Sequence, residues 1–218
     1  DIQKTNFLRA ASHELKTPVT AVSVMLENMI LGVGKYKDRD TYLAKCKALT
    51  DRLAQMIKEI LDASRAEFAG EQEQTDFLIA DVLGTVMEPY QIIAKAKGIA
   101  FSIDESETYT VHLPQGMIEK AISNILANAV SYTKPDGVIH ISCKGRQLVI
   151  ENECTPIPPE HLAHIFEPFY RPDYSRDRAT GGNGLGLYLV STILKSLDIP
   201  YSFSPSEDIE GMSFQIIF

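Results

Sequence analysis

Three stretches of this 218-residue chain carry side chains suited to chemistry. The first is Ser12-His13-Glu14-Leu15-Lys16-Thr17-Pro18, inside a long amphipathic run. An unprotonated imidazole is a nucleophile at neutral pH, and a carboxylate beside it can take or polarise its proton. Thr17 stands four residues after His13 and so shares its face of a helix. Pro18 removes one ladder hydrogen bond and crowds the carbonyl of Glu14, at a cost of about 3 kcal/mol, and a bend is expected there. Taken alone, a histidine beside a glutamate is more often an exposed ring than a nucleophile.

The second stretch is "QGMIEKAISNILANAVSYT", residues 115–133. Read as a helix, it places Glu119, Asn124, Asn128 and Tyr132 on roughly one face, with Ala121, Ile122, Ile125, Leu126 and Ala129 on the apolar side. Asparagine has poor propensity inside a helix. A carboxamide oxygen is a hard, neutral ligand suited to Mg²⁺, which keeps waters and bridges to substrate phosphates. Spacing alone leaves two readings open, a magnesium site or ordinary polar surface.

The third is "TGGNGLGLYLV", residues 180–190, where Gly181, Gly182, Gly184 and Gly186 lead into an apolar helix. Such a backbone presents N–H groups and a positive dipole end to an anion. No Gly-Lys-Ser/Thr follows, which excludes a Walker loop, and a long preceding loop excludes a Rossmann unit. With Arg171, Arg176 and Arg178 in that loop, the segment reads as a mobile lid over a polyphosphate, or else as a solvated charged loop.

Two long helices precede the rest. Residues 1–32 repeat Phe7, Leu8, Leu15, Val19, Val22, Leu26 and Met29 at helical spacing, and residues 39–67 do the same with Cys46, Leu49, Leu53, Met56 and Ile60. The resulting hairpin has an apolar seam too wide for one partner. Pairing two hairpins into a four-helix bundle buries it, so a homodimer is favoured over packing on the rest of the chain. Residues 69–76 read as a polar linker. Beyond them, helices and strands mix without strict alternation, including a hairpin joined at Lys144-Gly145 and a last helix from about 185. This predicts an α/β sandwich with a mixed sheet. The domains expected are 1–68, a linker at 69–76, and 77–218.

Composition narrows the function. A hydrophobic content of 44% fills real cores, and a net charge of −8 argues against a nucleic-acid partner. Cys46, Cys143 and Cys154 are odd in number and lack metal-ligand spacing, so free thiols in a reducing compartment are expected. His161 and His164 lie three apart without a cysteine and read as helix surface. No apolar run reaches the roughly 20 residues of a membrane span. The chain opens in mid-helix without a methionine, and is expected to be a soluble piece of a longer protein.

Together and in this order, the three stretches resemble the catalytic half of a sensor histidine kinase of a two-component system, over nearly the whole chain. "SHELKTP" is similar to the phosphoacceptor box, "SNILANAVSYT" to the asparagine box, "IFEPFYRP" to the segment before the ATP lid, and "GGNGLGL" to the second glycine box. More narrowly, the chain is similar to vancomycin-resistance (VanS-like) sensor kinases. The resemblance implies a helical dimerisation and phosphotransfer domain, forming a dimeric four-helix bundle. An α/β-sandwich ATP-binding domain of the gyrase, heat-shock-90 and histidine-kinase class follows. It implies that His13 attacks the γ-phosphate of ATP, that Glu14 takes or polarises its proton, and that Thr17 orients water during dephosphorylation of a response regulator. It gives Asn128 the magnesium, Asn124 a supporting place, and Tyr132 a position near adenine and ribose. Tyr170, Arg171, Arg178, Gly182, Gly184 and Gly186 fall to the lid and the phosphates. The partners implied are a second copy and the receiver domain of a cognate response regulator. The location implied is the cytoplasmic portion of a membrane-anchored bacterial sensor.

Two departures bear on this. Residues 152–156 are "NECTP", where the family commonly has Asp-x-Gly-x-Gly. Asn152 then stands for the adenine-recognising aspartate, a neutral acceptor expected to bind more weakly, and Pro156 stiffens the turn. Ser131 replaces a residue often basic. These departures favour the alternative of a nucleotide-weak, phosphatase-dominant or scaffold-like dimeric regulator.

Overall fold

The computed structural model describes residues 2–104, 108–172 and 182–218; Arg176, Arg178 and Gly181 lie outside them. The chain divides into two compact units, residues 1–62 and 63–218.

The first unit is a helical hairpin. Helix α1 (Ile2–Leu31) runs unbroken through Pro18, and α2 (Arg39–Ala66) returns after a short 3₁₀ turn. Gly32, at φ 64°, ends α1: its N–H donates to the Met29 carbonyl, and that of Val33 reaches back to Asn28. This pair of bonds satisfies carbonyls that the helix end leaves open. Asp38 caps α2 by accepting from the Thr41 N–H at 3.3 Å, and hydrogen bonds from Thr41 hold its carboxyl below the ordinary value. Inside the hairpin Met29, Tyr42 and Cys46 are buried with Val22, Met25 and Tyr36 around them. Much of the apolar stripe of this unit is exposed: Leu8, Val19, Leu26, Leu43, Ile57 and Leu61 are exposed, and Ile30 is 77% exposed.

The second unit opens with the last turn of α2. The segment expected as a linker is partly docked. Ala69 is fully buried in a 3₁₀ turn, the Gly70 N–H donates to Ser196 Oγ at 3.3 Å, and Ser196 Oγ donates to the Glu67 carbonyl at 3.2 Å. Glycine permits this approach, since a Cβ on residue 70 would stand 2.9 Å from the Ser196 carbonyl. Thr75 and Asp76 already belong to β1 (Thr75–Leu78).

The remaining elements are α3 (Ile79–Ala96), β2 (Ala100–Asp104), β3 (Thr110–Leu113), α4 (Gln115–Tyr132), β4 (Val138–Lys144), β5 (Gln147–Glu153), α5 (Pro159–Leu162), α6 (Gly186–Ser196), β6 (Tyr201–Pro205) and β7 (Gly211–Ile217). β1 and β3 form an antiparallel ribbon, and a five-stranded sheet runs β2-β4-β5-β7-β6. β2 is parallel to β4 and the other neighbours are antiparallel, a mixed sheet as expected. The β4–β5 turn falls one residue later than expected, at Gly145-Arg146, because Gly145 supplies φ 58° at the first of two loop positions. Alternation turns Ile139, Ile141 and Cys143 of β4, and Leu148 and Ile150 of β5, into one core with Leu83 of α3, Ile122 and Leu126 of α4, and Val190 and Leu194 of α6.

Leu126 is fully buried at the centre of this core. Leu126→Ala should therefore lower unfolding free energy by about 2–5 kcal/mol, read from urea denaturation of the whole chain.

Candidate functional site

The polar face of α4 is shaped by its neighbour α6. Asn124 Nδ2 donates to the Lys120 carbonyl at 2.8 Å, which fixes the carboxamide and turns its oxygen outward. That Oδ1 lies 3.2 Å from where a Cβ on Gly186 would stand, so the asparagine and the first residue of α6 approach closely, and a larger residue there would need the carboxamide to give slightly. Asn128, one turn on, is half-buried, and Tyr132 after it is exposed.

The ends of the expected lid are tied together at its base. The Phe169 N–H donates to the Gly184 carbonyl at 2.9 Å, and Arg171 Nη1 donates to the Gly182 carbonyl at 2.7 Å. Phe169 has φ 63° and Gly184 φ 75°. A Cβ at residue 184 would stand 2.8 Å from the Phe169 backbone. Tyr170 OH is 2.7 Å from His161 Nδ1, and the Tyr170 and His164 rings are 5.6 Å apart. His164 in turn contacts Glu167 at 2.7 Å. Tyr170 and Arg171 are thus held by the chain itself. The spacing of His161 and His164 gave no sign that they brace Tyr170, nor did anything mark the left-handed Phe169.

Asn152 sits near the end of β5 on the core-facing side with Leu148 and Ile150. The Lys134 N–H donates to the Glu153 carbonyl at 3.0 Å, which brings the turn after α4 alongside this strand end. Asn152 is 8% exposed, and its Nδ2 has no hydrogen-bond partner among the described residues. Among the described residues the nearby Cys154 sulfur is the one group that its side chain influences, and a sulfur is a weak acceptor. Burial pushes the Cys154 pKa up, and the Asn152 side chain and Met212 backbone offset only part of this. Gly211 packs so tightly on the Asn152 carbonyl that no Cβ fits.

His13, Glu14 and Thr17 belong to the first unit. His13 is 80% exposed, with Nδ1 3.4 Å from Glu14 Oε1. Thr17 Oγ1 lies 3.4 Å from the His13 carbonyl. Both residues line an open hollow with Lys16 and Thr20. Among the described residues no cluster of three or more His, Cys, Asp or Glu could hold a metal ion.

Residues 3–69 match the His Kinase A (phospho-acceptor) domain, and residues 114–218 match the histidine kinase-, DNA gyrase B-, and HSP90-like ATPase. The chain belongs to the sensor histidine kinases. Its relatives include sensor histidine protein kinase HK06 of Streptococcus pneumoniae, 34% identical over 98% of this chain and 47% of that protein. Sensor protein VanSB of Enterococcus faecalis is 34% identical over 93% of this chain and 46% of that protein. The chain thus spans about half the length of these relatives. Histidine kinase AdeS of Acinetobacter baumannii has the same fold, with a TM-score of 0.70 at 22% identity over 94% of this chain and 95% of that one. Histidine kinase ThkA, solved in complex with the response regulator protein TrrA, matches with a TM-score of 0.69 at 20% identity, over 97% of this chain and 60% of that one.

Only the thiolate reacts with alkylating agents. Because burial raises the Cys154 pKa, iodoacetamide labelling of this residue should climb with pH along a curve displaced upward from that of a free thiol. Mass spectrometry of the labelled peptide across the alkaline range checks it. Cys46 and Cys143 are buried and should label later.

Proposed function

We propose that this chain is the catalytic half of an ATP-dependent protein-histidine kinase, which phosphorylates His13 and passes the phosphoryl group to an aspartate of a response-regulator receiver domain. The observation that carries the proposal is an exposed His13 beside Glu14 on a helical hairpin, followed in the same chain by an ATPase-type unit. Nδ1 faces the Glu14 carboxylate, and in the tautomer that donates to it the lone pair is on Nε2. Nε2 bonds to the γ-phosphorus as the bond to the bridging oxygen breaks and ADP leaves; Glu14 takes the Nδ1 proton. Such a transfer needs mostly in-line positioning and charge neutralisation.

The ATP-binding part of the proposal assigns the base to Asn152 and Tyr132, and the phosphates to the glycine-rich entry of α6 and to Arg171 and Arg178. Mg²⁺ would neutralise phosphate charge, held by Asn128 with Asn124 in support. A single carboxamide fits an ion that keeps waters and substrate oxygens as its other ligands. The exposed apolar stripe of the hairpin supports a homodimer. The ThkA–TrrA complex supports a receiver domain as partner. The hydroxyl of Thr17, on the face of His13, supports dephosphorylation of that partner as a second activity. The location proposed is the cytoplasmic side of a membrane-anchored sensor; no helix among the described residues is long and apolar enough to cross a membrane. A nucleotide-weak, phosphatase-dominant regulator is the second reading, favoured by Asn152 and Pro156.

Incubation with γ-labelled ATP and Mg²⁺ should label the chain in an acid-labile, alkali-stable form, and His13→Gln should abolish the label. Equal labelling of the two proteins rules the kinase proposal out. Thr17→Ala should leave autophosphorylation within about twofold, yet slow dephosphorylation of a phosphorylated receiver domain by about tenfold or more.

A further inference from the structure

The end of β5 carries a buried polar group that the chain does not satisfy. Asn152 is 8% exposed and its Nδ2 is unpartnered among the described residues. Native proteins rarely leave a buried donor unpaired, because its lost hydration is not repaid. The neighbouring Cys154 sulfur is a weak acceptor and relieves little of this. The backbone here cannot shift to find another partner. Asn152 is paired with Ile139 on one side and Met212 on the other, and Gly211 presses on its carbonyl. What remains free is rotation of the amide plane.

We propose that Asn152 reads the edge of a purine with both its donor and its acceptor, so that the site takes 6-oxopurine nucleoside triphosphates as well as ATP. This rests on the ATP-binding reading above. Adenine presents an amino donor at N6 beside an acceptor at N1. Hypoxanthine presents the reverse, an acceptor at O6 beside a donor at N1. A carboxamide carries one of each, and a half-turn about its last torsion exchanges them. It therefore pairs twice with either base. A carboxylate only accepts, so it makes one bond with either base: it takes the adenine amino group or the hypoxanthine N1–H, and turns a lone pair toward adenine N1 or hypoxanthine O6. Polar sites reject an analogue when a buried group is left unpaired. Asn152 leaves none unpaired with either base.

The test is displacement of trinitrophenyl-ATP from the whole chain, in the presence of Mg²⁺, by ATP and by inosine triphosphate. In the wild type the two apparent Kd values should differ by less than about tenfold, and Asn152→Asp, which loses one bond to either base, should weaken both nucleotides by about tenfold. A wild-type preference for ATP of tenfold or more overturns the proposal. So does an Asn152→Asp protein whose thermal unfolding matches the wild type and whose Kd for each nucleotide is unchanged. Should that variant not fold, the wild-type ratio decides by itself. If neither nucleotide displaces the probe, the ATP-binding reading fails and takes this proposal with it; tight ATP with weak inosine triphosphate sinks this proposal alone.

Discussion

The second unit depends on how closely the backbone entering α6 approaches its two neighbours. Gly184 lies against the Phe169 backbone and accepts its N–H, while Gly186 lies against the Asn124 carboxamide. A side chain at Gly184 would run into the Phe169 backbone, and one at Gly186 would press on a carboxamide that is itself anchored. Asn124 is bonded back to Lys120, and Phe169 sits in a left-handed conformation that bulky residues adopt only when their surroundings impose it. Two glycines thus set the spacing of α4, α6 and the base of the lid at once. The Arg171 bond to Gly182 then continues the same tie one step outward.

The two units solve opposite problems. On the proposed reading His13 has to be reachable by a phosphate that another part of the protein carries, and it is 80% exposed on a helix that Pro18 does not break. Its Glu14 contact, at 3.4 Å, orients the ring without burying it. A group that recognises a base has to be screened from water, because hydrogen bonds discriminate only where water does not compete. Asn152 meets that condition through strand alternation, which places it beyond Leu148 and Ile150 on the helix-facing side.

Much of this was legible in the sequence because it is periodic. The stripes of α1 and α2, the apolar side of α4 and the alternation of β4 and β5 each repeat with the period of their element, and all five formed within a residue of where expected. The asparagines at 124 and 128 could be placed on one helix face for the same reason. What escaped is what depends on a partner distant in sequence. The polar stretch 69–76 looked like a linker because nothing local reveals that Gly70 will meet Ser196, 126 residues away. The His161–Tyr170 pair forms across a turn, with neither helical nor strand spacing to signal it. The left-handed Phe169 runs against its own side chain, and only Gly184 opposite makes sense of it. Arg178 lies outside the described residues.

The replacement of an expected aspartate by Asn152 changes meaning once its burial is known. On composition alone, a neutral acceptor is the weaker one. At 8% exposure, however, a carboxylate would have to shed its hydration, which costs several kcal/mol per ion unless it is well paired. A carboxamide avoids most of that cost and adds a donor. Around it the chain has also given up mobility. Cys154 and Pro156 stand where glycines would leave the turn loose, and the Cys154 N–H bonds to the Glu210 carbonyl at 3.2 Å. Gly211 is pressed against the Asn152 carbonyl from the neighbouring strand. The substitution and the stiffening belong together: a neutral group makes weaker individual hydrogen bonds, so its worth as a recognition element rests on being held in place to make two.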